Sequence, residues 1–138
     1  INQNDAAITL AHELGHYLGL RHVFSEGGTT SMCTDTDYCK DTPSYNRSEY
    51  EQWLNNLDKQ NKYQLKDLAK RYSCEKGEYE AHNIMDYAYC FYNEITLEQR
   101  KRIRHILNYS PLIPGPKESR IDTRGVQGRL NLPICIMK

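Results

Sequence analysis

The chain has 138 residues, a length typical of one domain rather than two. Its 18 Lys and Arg balance its 18 Asp and Glu, and this zero net charge excludes a strongly basic nucleic-acid-binding protein. With 38% hydrophobic residues, a mean hydropathy of −0.80 and 11 tyrosines, the composition predicts a polar, loop-rich globular chain. We find no apolar run near the roughly 20 residues of a transmembrane helix, and we expect no signal peptide at the start.

The first part of the chain predicts a helix followed by a loop. Residues 4–18 have the apolar spacing of a helix, and Asp5 suits its first turn. Gly19 is suited to end that helix in a left-handed conformation. Residues 25–47 are rich in Gly, Thr, Ser and Asp and lack periodicity, so they predict an ordered loop.

The middle and the end of the chain alternate between helical and irregular patterns. Residues 48–72 predict helix with a break near Asn61, whereas residues 73–94 predict a second irregular stretch. Residues 96–109 predict a third helical region. Residues 110–138 hold four of the five prolines, so they predict an extended or partly disordered tail.

The helix predicted over 96–109 has a clear start. Thr96 and Gln99 have the spacing of a capping box. The basic run Arg100–Arg104 is interpreted as a solvated helix face rather than a nucleic-acid site. The expected buried stripe consists of Ile103, Ile106 and Leu107.

The five cysteines lie outside any CxxC pattern. Four of them fall in turn-rich sequence and predict two disulfides in an oxidising compartment, with all three connectivities open: Cys33, Cys39, Cys74 and Cys90. Cys135 is left over near the end. The alternative is a set of buried free thiols in a cytosolic protein.

The stretch from His12 to His22 predicts a zinc site. His12 and His16 lie one helical turn apart, so their imidazoles can occupy two corners of a zinc tetrahedron. Gly19 permits a sharp exit from the helix that brings His22 round as the third ligand. Glu13 lies beside the ligands and can hydrogen-bond a water in the remaining position. An open fourth position is typical of catalytic rather than structural zinc.

A second motif follows about sixty residues later as Asn83-Ile84-Met85-Asp86-Tyr87. Together with the long histidine motif it matches the metzincin signature of three histidines and a Met-turn. The chain therefore resembles the metzincin zinc endopeptidases, and within them the pappalysin-like branch. Further support for that branch comes from Asp41-Thr42-Pro43 after the third histidine and from Cys90 after the Met-turn.

The resemblance implies specific roles for residues of both motifs. Zinc would be held by His12, His16 and His22, with Met85 as an apolar floor beneath the imidazoles. Glu13 would be the general base, and Tyr87 would stabilise the oxyanion.

The resemblance also implies a fold. It predicts a mainly α chain with long irregular loops, part of a family domain that is α+β as a whole. Only 11 residues precede His12, so we expect the active-site helix and the C-terminal subdomain here, with the upper β-sheet subdomain on the parent polypeptide. The expected division is residues 1–22 for the helix and third-ligand turn, 23–109 for the subdomain with the Met-turn, and 110–138 for the tail.

An acidic loop offers a second metal hypothesis. Asp35, Asp37 and Asp41 gather oxygen donors that could hold calcium, although the spacing is not that of an EF-hand. Asx-turns and solvated charge are the alternative interpretation.

Taken together, these patterns predict a zinc-dependent endopeptidase that acts on a protein or peptide substrate, either secreted or in a bacterial-type cell envelope. The alternative is a zinc-binding fragment or interaction module without turnover, because the N-terminal subdomain is expected to be missing. No nucleic-acid partner and no transmembrane segment are expected.

Overall fold

The computed structural model of the chain describes residues 3–25, 37–73, 75–87 and 89–117. Within these ranges the chain forms helices, irregular connections and one two-stranded antiparallel sheet. In chain order the elements are α1 (Gln3–Tyr17), α2 (Arg47–Asn55), α3 (Leu65–Leu68), β1 (Lys70–Ser73), β2 (Gly77–Glu80) and α4 (Leu97–Tyr109). The coarse expectation of helices joined by irregular segments is confirmed, and the small sheet makes the architecture mixed. None of the described helices is both long and apolar enough to cross a membrane.

Helix α1 ends in the left-handed turn that the sequence predicts. Gly19 has φ of 86°, its N–H donates to the His16 carbonyl, and the Leu20 N–H donates to the Gly15 carbonyl, both at 2.9 Å. These two bonds form a Schellman motif, which satisfies carbonyls at the helix end. A side chain at Gly19 would also place its Cβ 2.8 Å from Ile106 of α4. The turn therefore reverses the chain where α4 lies against it.

The helix expected over residues 48–72 is only partly correct. It is broken as predicted around Asn61, but residues 70–72 belong to strand β1, which pairs with β2 in a hairpin. The apolar spacing there resembles a helix, yet Tyr72 faces solvent and Arg71 is buried, which is the alternation of a strand. The second strand of the hairpin, β2, lies within residues 73–94, for which the sequence predicts an irregular stretch.

The capping box of α4 is confirmed, whereas its expected buried stripe is only partly correct, because Ile103 and Ile106 are half-buried but Leu107 is exposed. The Thr96 hydroxyl accepts from the Gln99 N–H at 3.3 Å, and the Gln99 side chain accepts from the Thr96 N–H at 3.0 Å. The buried residues of α4 are Gln99 and Arg102, while Leu107 is 39% exposed. Arg102 donates to the Gly19 carbonyl, so the basic run is not wholly solvated. Helix α4 is thus held to the fold by buried polar side chains as well as by Ile103 and Ile106.

A reciprocal amide pair ties α4 to the turn over residues 83–87. The Asn83 amide donates to Gln99 at 2.8 Å, and the Gln99 amide donates to Asn83 at 3.1 Å. The same Asn83 oxygen accepts from the Met85 N–H at 2.9 Å. Helix α4 therefore fixes the conformation of the turn that carries Met85.

Beneath the turn lies a buried ion pair. Arg71 Nε and Asp86 Oδ2 are 3.5 Å apart, with side chains that are 0% and 1% exposed. The Tyr45 hydroxyl donates to Asp86 Oδ1 at 2.5 Å, and the Arg71 guanidinium lies 3.7 Å from the centroid of the Tyr50 ring. Burial raises the pKa of Asp86, while Arg71 and the Tyr45 hydroxyl act in the opposite direction. The carboxylate is thus kept in the interior by partners on two other segments.

The buried hydrophobic core of the described residues forms two small clusters. The first contains Leu20, Val23 and Met85, with Ile84 and Ile103 against it. The second contains Phe24, Tyr45 and Tyr50, with Leu54 and Tyr79 against it. Aromatic rings and buried polar pairs thus supply much of the interior, as the low hydrophobic content suggests.

Two cysteines fall within the described residues. Cys39 and Cys90 are buried free thiols, and burial raises the pKa of each to about 12. They do not pair with each other. The expected two disulfides among four cysteines are therefore not formed in this structure, where Cys39 and Cys90 match the alternative of buried free thiols. Cys33, Cys74 and Cys135 lie outside the described residues.

The predicted tail is described only in its first part. Residues 110–117 form turns after α4, with Ile113 buried. Residues 118–138 lie outside the described residues.

We predict that Asp86→Ala lowers the free energy of unfolding by about 3–5 kcal/mol, because it leaves the Arg71 charge buried without its carboxylate. Urea denaturation followed by circular dichroism measures the change. The matched control is Glu78→Ala in the exposed Lys70–Glu78 pair, which we expect to cost less than about 1 kcal/mol. Equal effects of the two substitutions would contradict the importance of the buried pair.

Candidate metal centre

Three imidazoles converge at the end of α1. The Nε2 atoms of His12 and His16 are 3.1 Å apart, those of His16 and His22 are 3.0 Å apart, and those of His12 and His22 are 3.3 Å apart. They form the one group of potential metal ligands among the described residues. The structure thus brings together the three histidines that the sequence singles out.

Backbone carbonyls orient two of the three rings. The Nδ1–H of His12 donates to the Ile84 carbonyl at 2.7 Å, and that of His16 donates to the Leu20 carbonyl at 3.0 Å. Because a carbonyl oxygen can only accept, these bonds place the proton of each neutral ring on Nδ1. The lone pairs on Nε2 of both rings then face the centre of the group.

This donor set fits a zinc ion. Ligands of a tetrahedral zinc with Zn–N of about 2.0–2.1 Å lie roughly 3.3 Å apart, close to the three observed separations. Converging lone pairs repel one another without a cation between them. Carbonyl acceptors behind the ligating histidines are also typical of zinc sites, where they fix ring tautomer and orientation.

Met85 packs against α1, the helix that carries the first two histidines, and its role as a floor beneath the imidazoles stays a prediction. Its side chain is fully buried in the first core cluster, with Leu20 and Val23. A Cβ added to Gly15, between the first two histidines, would lie 2.4 Å from the Met85 sulfur. Helix α1 therefore approaches the methionine this closely only because residue 15 has no side chain.

Aromatic rings form one wall of the centre. The centroid of the Tyr87 ring lies 4.4 Å from that of His22 and 5.2 Å from that of His12, and Tyr87 is 37% exposed. The ring of Phe24 stacks on His22 at 4.6 Å with an interplanar angle of 13°. Sequence analysis did not single out Phe24, although its position two residues after the third ligand is a usable signal.

The backbone N–H and carbonyl of Tyr87 both form hydrogen bonds with the buried ion pair of Arg71 and Asp86. Its N–H donates to Asp86 Oδ1 at 2.7 Å, and its carbonyl accepts from Arg71 Nη2 at 3.2 Å. Sequence analysis missed Arg71 because no local motif links it to the Met-turn. The ion pair fixes the place at which the Tyr87 ring meets the histidines.

Glu13 and the acidic loop complete the list of expected site residues. Glu13 is an exposed residue of α1 directly after His12. Asp37 is buried and accepts from the Cys39 N–H and the Thr42 hydroxyl, while Asp41 accepts from the N–H of Glu98 at the start of α4. Burial acts against ionisation of Asp41, but hydrogen bonds from this helix start lower its pKa overall.

The calcium hypothesis gains no support from these bonds, because each satisfies a donor of the protein itself. Asp35 lies outside the described residues. Calcium binding stays a prediction.

Comparisons with known proteins place these observations in context. The family model described as "Pregnancy-associated plasma protein-A", a peptidase family, matches residues 1–108. Proteins named "Extracellular metalloprotease" from Arthroderma benhamiae, Trichophyton verrucosum and Arthroderma otae are each 38% identical to the chain over 98 residues. Each match covers 69% of this chain but 29% of the relative, so the chain spans less than a third of their length. No solved structure matches the chain.

We predict that His16→Ala lowers the zinc affinity by more than about 100-fold, since loss of even an outer-shell partner of a ligand costs 10–100-fold. Isothermal titration calorimetry with zinc measures the affinity. His82→Ala is the control, because His82 bonds to Asn93 away from the three imidazoles, and we expect it to bind zinc normally. Stoichiometric tight binding by His16→Ala would contradict the assignment.

We predict that Gly15→Ala destabilises the protein by about 1–3 kcal/mol, because the new methyl group overlaps the Met85 sulfur. The test is a double-mutant cycle measured by urea denaturation. In a Met85→Ala background the overlap is relieved, so the same substitution should be neutral or stabilising, as Ala is in a helix. Equal effects in the two backgrounds would show that the contact is unimportant.

Proposed function

Because this chain belongs to the pregnancy-associated plasma protein-A peptidase family, we propose that it is the zinc-binding part of an extracellular endopeptidase that hydrolyses peptide bonds. The resemblance to pappalysin-like metzincins is confirmed by the family match over residues 1–108. The observation that carries the proposal is the group of three imidazole nitrogens within 3.3 Å of one another. The names of the relatives support secretion.

In this proposal His12, His16 and His22 hold the ion through Nε2. When bound, zinc supplies a Lewis acid that makes water more acidic and polarises the carbonyl of the peptide. The Ile84 and Leu20 carbonyls keep two of the imidazoles in the tautomer that binds. The chain itself therefore prepares the ligands before the ion arrives.

Glu13 is proposed as the general base. A carboxylate next to the first ligand can accept the proton of the attacking water and then donate it to the leaving amine. Its exposed position on α1 leaves the carboxylate accessible to both partners. A site that only stored zinc would need no such group beside its ligands.

Tyr87 is proposed to stabilise the negative charge that develops on the carbonyl oxygen. Its ring lies against His12 and His22, and its phenol can donate a hydrogen bond to the developing oxyanion. The bonds to Asp86 and Arg71 hold the backbone of Tyr87, and the rings of His12, His22 and Phe24 pack against its side chain. Such preorganisation is what makes a hydrogen bond effective in catalysis.

We predict that Glu13→Gln lowers kcat by at least about 10³-fold while zinc remains bound, since a general base contributes up to 10⁴-fold. Tyr87→Phe should lower kcat by roughly 100-fold, the loss expected for one oxyanion donor. Cleavage of a quenched peptide, with a chelator control and zinc analysis of each variant, measures both effects. Glu80→Gln, an exposed carboxylate on β2, is the matched control.

The same assay contains the outcomes that contradict the proposal. Full turnover by Glu13→Gln would remove Glu13 from the mechanism, and an unchanged rate for Tyr87→Phe would remove Tyr87. A zinc-loaded protein that cleaves no peptide would favour the alternative of a zinc-binding module without turnover.

A further inference from the structure

The wall of the metal centre contains a cation as well as aromatic rings. Arg47, the first residue of α2, places its guanidinium carbon 4.7 Å from the centroid of the Tyr87 ring and 4.9 Å from that of Phe24. Both rings contact His22. The guanidinium is therefore separated from a proposed zinc ligand by a single ring, although none of the motifs includes it.

Within the described part of the chain, the side chain of Arg47 makes one hydrogen bond. Its Nε donates to Glu51 Oε1 at 2.6 Å, one helical turn away. Among the described residues, its two terminal nitrogens make no hydrogen bond. An arginine whose terminal nitrogens make no other hydrogen bond can donate from both of them to one carboxylate.

The Glu51 partner is a weak competitor for that guanidinium. The side chains of Arg47 and Glu51 are 39% and 51% exposed, and exposed pairs of this spacing contribute little free energy. The two aromatic rings, in contrast, restrict the guanidinium to one place. A carboxylate that approaches along Tyr87 meets a positioned cation rather than a freely moving side chain.

We propose that Arg47 is a specificity-determining residue that binds an acidic side chain of the substrate close to the cleaved bond. The inference rests on the proposed endopeptidase function and adds a substrate class to it. A peptide that lies over the three histidines and Tyr87 carries its neighbouring side chains past Arg47. At one of these positions Asp or Glu is favoured and Lys is disfavoured.

The test moves one acidic residue through an otherwise neutral quenched peptide, three positions on each side of the cleaved bond. At one position the zinc-loaded protein should cleave the Glu peptide with a kcat/KM about tenfold or more above its Gln counterpart, as expected for a charge-assisted pair. Arg47→Gln should abolish this ratio, and Arg47→Glu should reverse it in favour of Lys. Glu51→Gln should increase it by removing the competing carboxylate.

Arg104→Glu on α4 is the matched control, since it makes the same charge change at an exposed arginine that does not contact Tyr87 or Phe24. It should leave the Glu-to-Gln ratio unchanged. If Arg47→Gln instead lowers kcat/KM equally for all peptides, Arg47 only positions Tyr87 and the proposal is wrong. Equal cleavage of Glu and Gln peptides at every position also overturns it.

A binding measurement separates this inference from the proposed function. Fluorescence anisotropy with the zinc-loaded Glu13→Gln variant compares the affinities for the same labelled Glu and Gln peptides. Tighter binding of a Glu peptide that disappears with Arg47→Gln supports the inference even if no peptide is cleaved. The absence of cleavage by itself would contradict only the proposed endopeptidase activity. Equal affinities for the two peptides, or no binding of either, would overturn the role of Arg47.

Discussion

The carbonyl oxygens of Ile84 and Leu20 constrain the metal centre more than any other groups, because they fix the tautomer and direction of two imidazoles. A backbone acceptor can do this only if the backbone itself is fixed. The Leu20 carbonyl is placed by the left-handed turn at Gly19, which the sequence specifies locally. The Ile84 carbonyl belongs to the Met-turn, which is distant from α1 in sequence and has to be held there by other parts of the fold.

Buried polar pairs provide this hold. Asn83 is joined to Gln99 of α4 by two amide hydrogen bonds, and Asp86 is joined to Arg71 of β1. Neither kind of pair contributes much net free energy compared with apolar packing, but each is costly to break because an unpaired polar group would remain buried. Only 38% of the residues are hydrophobic, so apolar packing alone would allow several conformations of the Met-turn that bury similar surface. The buried polar pairs favour one of these conformations.

The parts of the structure that could be predicted from sequence are those specified by neighbouring residues. The helix with His12 and His16, the turn at Gly19 and the capping box at Thr96 all depend on contacts within about one helical turn. The hairpin could not be predicted in the same way, because the burial of Arg71 depends on contacts with the Met-turn and with tyrosines distant in sequence. Helical periodicity alone treats every arginine as a surface residue, so it cannot predict a buried one. For the same reason the sequence predicts a solvated position for Arg102, which is buried.

In the proposed mechanism, Tyr87 connects the metal centre with the surface that would bind the substrate. Its backbone is fixed from below by the ion pair that also stabilises the Met-turn, whereas its ring lies between the histidines and the guanidinium of Arg47. The proposed zinc ligands come from α1 and the turn after it, so Arg47 can be substituted without replacing any of the three histidines. If the chain acts as proposed, residues such as Arg47 on the aromatic wall can determine which peptides bind, while the buried pairs beneath the wall hold the residues of the metal centre in place.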